Sequence, residues 1–200
     1  MIKIVFFDMG GVVIRETEPD IFTQIADQLH IDRQAVMKLR QDWKDQLHRG
    51  ELTAEEFAKK LAELFGVTDD VLAVWRQIYG TNIAPDNGVL AIIRTLRKQY
   101  HVGLISNITD IHAGELMKRS LYDLFDPAIL SCDVGLSKPG PEIFRLALDR
   151  ANVNADEAVF IDDVQANVNA AVEVGMKGIR FLSASQLVED LKNVGVEVHA

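Results

Sequence analysis

The stretch KIVFFDMGGVVI, residues 3–14, places one carboxylate and two glycines directly after an apolar run. The apolar residues show no polar alternation, which is typical of a parallel strand that is covered on both faces. Asp8 ends the run, and Gly10 and Gly11 follow it. The stretch therefore predicts a buried parallel strand that leads an acid into a glycine loop.

Short β-branched runs of the same kind recur along the chain, and helical patterns separate them. The predicted strands cover residues 2–7, 101–106, 128–131, 158–162 and 177–182. From Asp86 onward, the apolar residues at helical spacing are Val89, Ile92, Ile93 and Leu96; Leu116, Leu121 and Leu124; Ile143, Phe144, Leu146 and Ala147; and Val168, Ala171 and Val172. Alternating strands and helices imply right-handed crossovers, so we predict an α/β fold with a doubly wound parallel sheet.

One long segment, residues 15–84, interrupts this alternation. It contains no convincing strand, and its apolar spacing is that of amphipathic helices, as in Ile21, Ile25 and Leu29. Thr53 and Glu56 have the spacing of a capping box at a helix start. We therefore predict an α/β core domain of residues 1–14 and 85–200 with an inserted α-helical cap domain of residues 15–84.

The composition predicts a globular protein whose ligand is neither nucleic acid nor an acidic membrane. The chain has 200 residues, 48% of them hydrophobic, and a formal net charge of -9, which disfavours non-specific attraction to polyanions. The single cysteine, Cys132, excludes an internal disulfide and is expected to be a small core residue. We find no signal peptide and no apolar stretch long enough to span a bilayer, so we expect a cytoplasmic protein. The oligomeric state is left open.

Polar residues follow several of the predicted strands at the same edge of the sheet. In an open parallel sheet, ligands bind outside the carboxyl ends of the strands. The residues at or after these ends are Asp8, Ser106, Asn107, Lys138, Asp162 and Asp163. Side chains from most of the chain are therefore expected to meet at one site.

These residue types suit the transfer of a phosphoryl group. A carboxylate such as Asp8 can attack phosphorus to give an aspartyl-phosphate that water then hydrolyses. The backbone N–H groups of Met9, Gly10 and Gly11 can approach a phosphate closely. We expect Met9 and Gly10 to contact the substrate phosphate.

A hard cation is needed to bring a carboxylate, two further acids and a phosphate together. Mg²⁺ prefers oxygen ligands and commonly bridges carboxylates to substrate phosphate. Asp162 and Asp163 suit this cation. Ser106 can donate to a phosphoryl oxygen, and Lys138 can act as a point charge on it while pairing with Asp8.

Four segments of the chain resemble, in order and spacing, the four motifs of the haloacid dehalogenase-like hydrolase superfamily. They are DMGGV at residues 8–12, LISN at 104–107, SKPGPEIF at 137–144 and FIDDVQANV at 160–168. The helical insertion after the first motif resembles the first type of cap domain in this superfamily. Within it, HRGELTAEEF at residues 48–57 is similar to the cap of the small sugar-phosphate phosphatases.

The resemblance implies a Mg²⁺-dependent phosphomonoesterase with a role for each matched residue. Asp8 would be the nucleophile, and Ser106, Asn107 and Lys138 would bind the substrate phosphate. The metal site would contain Asp8, Asp163, the supporting Asp162 and the backbone carbonyl of Gly10.

Gly10 is also where the sequence departs from the superfamily. Most of its phosphatases have a second aspartate at this position, which protonates the leaving oxygen, and general acid catalysis of this kind contributes typically about 10²- to 10⁴-fold. An anomeric oxygen needs this help least, which favours sugar 1-phosphates as substrates. His112 and His48 are candidates for a replacement acid, whereas Trp43 and Trp75 have the spacing of core residues.

Two alternatives remain beside the phosphatase. A metal-independent haloacid dehalogenase would share the Asp8 nucleophile but would leave Asp162 and Asp163 beside an anion without a neutralising cation. A non-catalytic phosphate-binding protein would keep the fold after losing its proton donor, but it would have no need of Asp8. A phospho-receiver domain is excluded because its acidic pair follows the first strand.

Overall fold

The computed structural model describes residues 1–16 and 20–198, without the side chain of Glu16. Its strands are β1 (Ile4–Phe7), β2 (Ile14–Glu16), β3 (Ile83–Pro85), β4 (His101–Ser106), β5 (Ala128–Leu130), β6 (Ala158–Asp162) and β7 (Lys177–Arg180). Its α-helices are α1 (Ile21–Gln28), α2 (Arg33–His48), α3 (Ala54–Phe65), α4 (Val71–Asn82), α5 (Asn87–Leu96), α6 (Asp110–Met117), α7 (Ser131–Val134), α8 (Pro141–Ala151), α9 (Gln165–Val174) and α10 (Ala184–Asn193).

The five predicted strands form one parallel sheet in the order β5-β4-β1-β6-β7. β1 lies at its centre because both of its edges are paired, with Phe7 opposite Leu104 on one side and Ile161 on the other. This register brings the residue after β1 to the same edge as the ends of β4 and β6. The predicted α/β fold with a parallel sheet is confirmed.

Apolar side chains on β1 alternate between two hydrophobic clusters, one on each face of the sheet. Val5 and Phe7 belong to the cluster that contains residues of α5 and α10, and Ile4 and Phe6 to the cluster that contains residues of α8 and α9. All four are buried. Helices therefore cover both faces of the sheet, which explains why the run shows no polar alternation.

The segment between β2 and β3 is helical, as predicted, and its described residues form four helices, α1 to α4. The predicted capping box is also present, since Thr53 accepts from the Glu56 N–H and Glu56 accepts from the Thr53 N–H. The expectation of no strand near either end was wrong, because β2 and β3 pair as an antiparallel ribbon. The division into a core of residues 1–14 and 85–200 and a cap of 15–84 stays a prediction, with both boundaries in this ribbon.

Two local helical expectations were also wrong. The residues from Leu116 to Leu124 do not form one helix, since α6 ends at Met117, Ser120 has a φ of 54°, and a 3₁₀ turn follows at Leu121–Leu124. Val172, expected on the apolar face of α9, is 52% exposed. In both cases the spacing of apolar residues is a local property of the sequence. It does not show where a helix ends or which of its faces is covered by neighbouring elements.

The inserted helices contact the rest of the chain through a few specific bonds. The N–H of Ala54, at the start of α3, donates to Asp110 Oδ1 at 3.1 Å, and Trp75 on α4 donates to His112 on α6. Gly50 lies against the backbone oxygen of Cys132, where a Cβ would come within 2.4 Å. Cys132 is partly buried rather than fully enclosed. In the described part of the chain, no helix has the length and apolarity to cross a membrane.

Candidate active site

The carboxyl ends of the parallel strands bring the expected polar residues to one edge of the sheet. Asp8 follows β1, Ser106 ends β4, and Asp162 ends β6. Lys138 comes from the loop between α7 and α8. All four are buried, so the edge forms an enclosed polar site rather than a solvated rim.

Lys138 links the two buried carboxylates. Its Nζ lies 2.8 Å from Asp8 Oδ1 and 2.7 Å from Asp162 Oδ2. The Asn107 amide fixes the Lys138 backbone, since Asn107 Oδ1 accepts from the Lys138 N–H and Asn107 Nδ2 donates to the Lys138 carbonyl, both at 2.8 Å. Asn107, expected to bind substrate, therefore also positions the lysine, a role that its place in the sequence did not indicate.

The two adjacent acids have different surroundings. Asp162 is fully buried, and its oxygens accept from Lys138, from Asn167 Nδ2 at 3.0 Å and from the Val164 N–H at 2.8 Å. No other described residue donates a hydrogen bond to the partly exposed Asp163 carboxylate. Asp162 therefore organises the site, while Asp163 keeps lone pairs for a ligand.

Asp8 has one engaged and one open oxygen. Its Oδ1 accepts from the Met9 N–H at 2.7 Å and pairs with Lys138, whereas no described residue donates to Oδ2. Burial raises the pKa of Asp8 to about 7; Lys138 opposes this increase, and Asp162 adds to it. Burial and Asp162 also raise the pKa of Asp163. The site thus holds more negative charge than Lys138 alone offsets.

The two glycines after Asp8 are under different steric constraints. Gly11 has a φ of +77°, and a Cβ there would lie 2.5 Å from Asp163 Oδ2. Any residue other than glycine would therefore clash with the Asp163 carboxylate. The Gly11 N–H donates to the Ile14 carbonyl at 2.9 Å, so the expectation that it faces a phosphate was wrong. Gly10 has no such constraint, because a Cβ there would meet nothing within 4 Å.

The acidic residues can hold a hard cation. Asp8, Asp162 and Asp163 each offer an oxygen, and these oxygens lie within 4.8 Å of one another. An all-oxygen donor set with excess negative charge fits Mg²⁺. The space that Gly11 leaves beside Asp163 supports the same assignment.

A cavity of about 210 Å³ lies between the inserted helices and the core. Its lining residues are Phe22, Arg40, Lys44, Leu47, His48, Asn107, Ile108, Thr109 and His112. Asn107 belongs both to this cavity and to the Lys138 contact, which joins the two regions. Arg40 and Lys44 were not predicted as cavity residues from the sequence, although their spacing of four residues on α2 places them on one helix face.

His48 and His112, the candidate replacement acids, both line this cavity. Burial lowers the pKa of His48 to about 4, helped by the nearby Lys44 and Arg40. Burial lowers the pKa of His112 to about 3, helped by His48 and Arg40. Both imidazoles are therefore neutral near pH 7, which argues against either as the general acid. Trp75 is fully buried and Trp43 packs partly buried against the core, as expected.

The family model for haloacid dehalogenase-like hydrolases matches residues 2–175, which include every residue of this site. The chain belongs to this family. Among its relatives is the D-ribitol-5-phosphate phosphatase of Bacteroides thetaiotaomicron, 30% identical over 193 residues that cover 88% of this chain and 90% of the relative. A sesquiterpene phosphatase of Aspergillus oryzae is 29% identical over 196 residues, which cover 96% of both chains. These relatives support phosphatase activity on small phosphorylated substrates.

Solved structures of this hydrolase family agree with the fold. A B. thetaiotaomicron family enzyme in complex with magnesium and inorganic phosphate has a TM-score of 0.81 and 25% identity, with 94% of this chain and 99% of that chain covered. A 2-haloacid dehalogenase from Pseudomonas syringae has a TM-score of 0.73 and 23% identity, with 96% and 99% covered. The second likeness concerns the fold alone.

Proposed function

We propose that this hydrolase is a Mg²⁺-dependent phosphatase that acts on a sugar or polyol phosphate through an aspartyl-phosphate on Asp8. The observation that carries the proposal is the asymmetry of the Asp8 carboxylate. Lys138 and the Met9 N–H hold Oδ1, and Oδ2 has no donor among the described residues. Oδ2 is thus the oxygen available to attack phosphorus.

In the proposed reaction, Asp8 Oδ2 forms a bond to phosphorus as the bond to the leaving oxygen breaks. Ser106 and Lys138 bind the phosphoryl oxygens, and Asn107 keeps Lys138 in place. Water then attacks the aspartyl-phosphate, which releases inorganic phosphate and restores the Asp8 carboxylate. Asp8, Asp163 and the Gly10 carbonyl, with Asp162 in support, would hold a Mg²⁺ ion, which would supply charge neutralisation between the carboxylates and the phosphate.

The missing proton donor shapes the range of substrates. No side chain stands at Gly10, and the cavity histidines are neutral, so the leaving oxygen departs with little protonation from the protein. Leaving groups of low basicity suffer least from this loss. Anomeric phosphates are therefore expected to react faster than primary alkyl phosphates of similar size.

The cavity beside the site favours a polar leaving group. Six of its nine lining residues are polar or charged, and its volume is about 210 Å³. A sugar or polyol fits this chemistry better than a long apolar chain, because buried polar groups need hydrogen-bond partners. Of the two relatives named above, the ribitol-phosphate phosphatase is thus the better guide to the substrate of this chain.

The decisive experiment is a screen of phosphate release with and without Mg²⁺. The panel contains α-D-glucose 1-phosphate, D-ribitol 5-phosphate, a nucleotide, farnesyl phosphate and 4-nitrophenyl phosphate, with 2-chloropropionate as a test for dehalogenation. We expect Mg²⁺-dependent turnover of both polar substrates, faster on α-D-glucose 1-phosphate than on D-ribitol 5-phosphate, which is a primary alkyl phosphate, and slowest on farnesyl phosphate. Chloride release without metal would instead identify a dehalogenase, and binding without turnover would identify a phosphate-binding protein.

The matched control for this screen is Asp8→Asn. An amide is nearly isosteric with the carboxylate but cannot form the phosphoryl-enzyme, so we expect no detectable turnover. The melting temperature should stay at or above that of the wild type, since the variant no longer buries a carboxylate whose pKa is raised. Residual steady-state activity in a pure preparation would contradict the assigned nucleophile.

A further inference from the structure

His112 makes two contacts that fix the state of its imidazole ring. Trp75 Nε1 lies 2.9 Å from His112 Nε2, and the Tyr79 ring stacks on the imidazole at 3.7 Å between centroids with an angle of 7°. An indole N–H is only a donor, so His112 Nε2 must be the acceptor. The proton of the neutral ring is therefore on Nδ1.

The Nδ1–H of His112 has no acceptor among residues 1–16 and 20–198. Within those residues, Tyr122 Oη is the only fully buried side-chain polar atom that lacks a hydrogen-bond partner. Because His112 Nδ1 also lacks a partner but is not such an atom, it keeps some exposed surface. His112 lines the cavity beside the phosphate site. The Nδ1–H of His112 thus has no acceptor in the described protein, and this cavity is where a ligand oxygen would reach it.

The His112 ring does not take up a second proton and become a cation near neutral pH. A second proton would have to sit on Nε2, where the Trp75 N–H already points. Burial, His48 and Arg40 act in the same direction and lower the pKa of His112 to about 3. The ring therefore remains a neutral donor through Nδ1 at any pH near neutrality.

We infer that His112, held in its Nδ1–H tautomer by Trp75, is a specificity-determining residue that donates a hydrogen bond to an oxygen of the leaving group. This inference deepens the proposed phosphatase function and rests on it. The ligand class is a phosphate ester whose leaving group carries hydroxyl, ether or carbonyl oxygens. An alkyl leaving group without oxygen would leave the N–H unpaired, which is costly at a partly buried site.

The first test measures the tautomer and does not depend on turnover. Imidazole ¹⁵N NMR on the folded protein, with His112→Gln to assign the signals, should show a protonated Nδ1 and an unprotonated Nε2 from pH 5 to 9. In Trp75→Phe, the tautomers should become mixed and the ring should titrate at a higher pH. A wild-type ring protonated on Nε2 would overturn the inference.

The second test uses two amides that separate the two nitrogens. In His112→Gln the amide oxygen can still accept from Trp75, but the donor at the Nδ1 position is lost. In His112→Asn the shorter amide keeps a donor near the Nδ1 position and loses the acceptor for Trp75. Binding is measured by calorimetry with Mg²⁺ in the Asp8→Asn background, with D-ribitol 5-phosphate and pentyl phosphate as probes.

We expect His112→Gln to reduce the preference for D-ribitol 5-phosphate over pentyl phosphate by about 3- to 10-fold, while the melting temperature stays close to that of its background. His112→Asn should show the reverse pattern, with more of the preference kept and a lower melting temperature. A purely structural His112 would make the preference and the melting temperature fall together, and this result would overturn the inference. Absent turnover in the phosphatase screen would refute the proposed function separately, because the binding test needs no catalysis.

Discussion

Residue 10 has room for a side chain that the sequence does not supply. A Cβ on Gly10 would meet no atom within 4 Å, and the backbone there is outside the left-handed region that only glycine readily adopts. Its neighbour Gly11 is constrained in both respects. The absence of a proton donor at Gly10 is thus a property of the sequence and is not enforced by the fold.

Gly10→Asp should accordingly raise kcat most for substrates with basic leaving groups. We expect a gain of about tenfold or more for a primary alkyl phosphate and little change for 4-nitrophenyl phosphate, because an acid helps most where the developing charge is poorly stabilised. The measurement is the dependence of kcat on leaving-group pKa for both proteins. The slope should be flatter in the variant.

Two controls accompany this prediction. Mg²⁺ titration and thermal unfolding of Gly10→Asp verify that the variant is folded and binds metal. The double variant with His112→Ala tests whether the histidine already serves as the acid. If both controls behave as expected and the slope is unchanged, the idea that Gly10 marks a missing acid is wrong.

Asp163→Ala should weaken Mg²⁺ affinity more than Asp162→Ala. The Asp163 carboxylate has open lone pairs, while Asp162 already accepts from Lys138, Asn167 and the Val164 N–H. Asp162→Ala should instead lower the melting temperature more, because it removes the partner of a buried lysine. Metal titration and thermal unfolding of the two variants check both orders, and equal metal affinities would contradict the division of roles.

Among the secondary-structure elements, the turn between α2 and α3 is one of those that contact the core from the inserted helices. Gly50 in this turn has a φ of +66° and lies against the Cys132 carbonyl of α7, and the Ala54 N–H bonds to Asp110 on α6. These contacts lie within residues 48–57, the segment singled out in the sequence for its resemblance to sugar-phosphate phosphatases. Their function in the structure is to dock the inserted helices.

Gly50→Ala should destabilise the protein more than Gly66→Ala. Both glycines have positive φ, +66° and +64°, so each substitution costs about 1–2 kcal/mol of backbone strain. Only at Gly50 would the added Cβ come within 2.4 Å of another backbone atom; at Gly66 it would meet nothing within 4 Å. Urea unfolding should show a larger loss for Gly50→Ala, and equal losses would mean that this contact does not hold the helices in place.

At the scale of the whole molecule, charge is unevenly distributed. The chain carries a formal net charge of -9, yet the cavity beside the active site is lined by Arg40 and Lys44 and by no carboxylate. Arg40 pairs with Asp20 at 3.1 Å, so Lys44 is the lining side chain that supplies local positive charge for an anionic substrate.

The contribution of His112 to stability should fall as the pH drops below 6.5. The pKa of His112 is about 3 in the folded chain against an ordinary value of 6.5. Between these values the unfolded chain binds a proton that the folded chain does not, so the contribution is complete above pH 6.5 and is lost as the pH falls. From pH 7.5 to 5 this loss amounts to about 2 kcal/mol.

The measurement compares urea unfolding of the wild type and His112→Gln at both pH values. His48 and the carboxylates are present in both proteins, so their contributions cancel in the difference. From pH 7.5 to pH 5, the difference in unfolding free energy between the two proteins should shift by about 2 kcal/mol in favour of the variant. A difference that does not change with pH would contradict a neutral His112 in the folded state.

The parallel sheet, its covering helices and the residues at the strand ends could all be predicted from the amino-acid sequence. Each strand carries its pattern locally, and strands that run parallel must end at the same edge, so Asp8, Ser106 and Asp162 could be placed together without coordinates. The lack of an acidic side chain at Gly10 could also be recognised from the sequence. It depends only on which residue follows Asp8 by two positions.

The features that depend on contacts between distant segments could not be predicted in this way and are seen only in the folded chain. The ribbon of β2 and β3 joins strands of three residues each, too short to show a periodic pattern. The hydrogen bond from Trp75 to His112 spans 37 residues, and the one from Asn107 to Lys138 spans 31. The sequence around each of these residues shows only the pattern of its own helix or loop. It therefore does not indicate which distant residue will be the hydrogen-bond partner. Packing alone turned a candidate acid into a neutral hydrogen-bond donor.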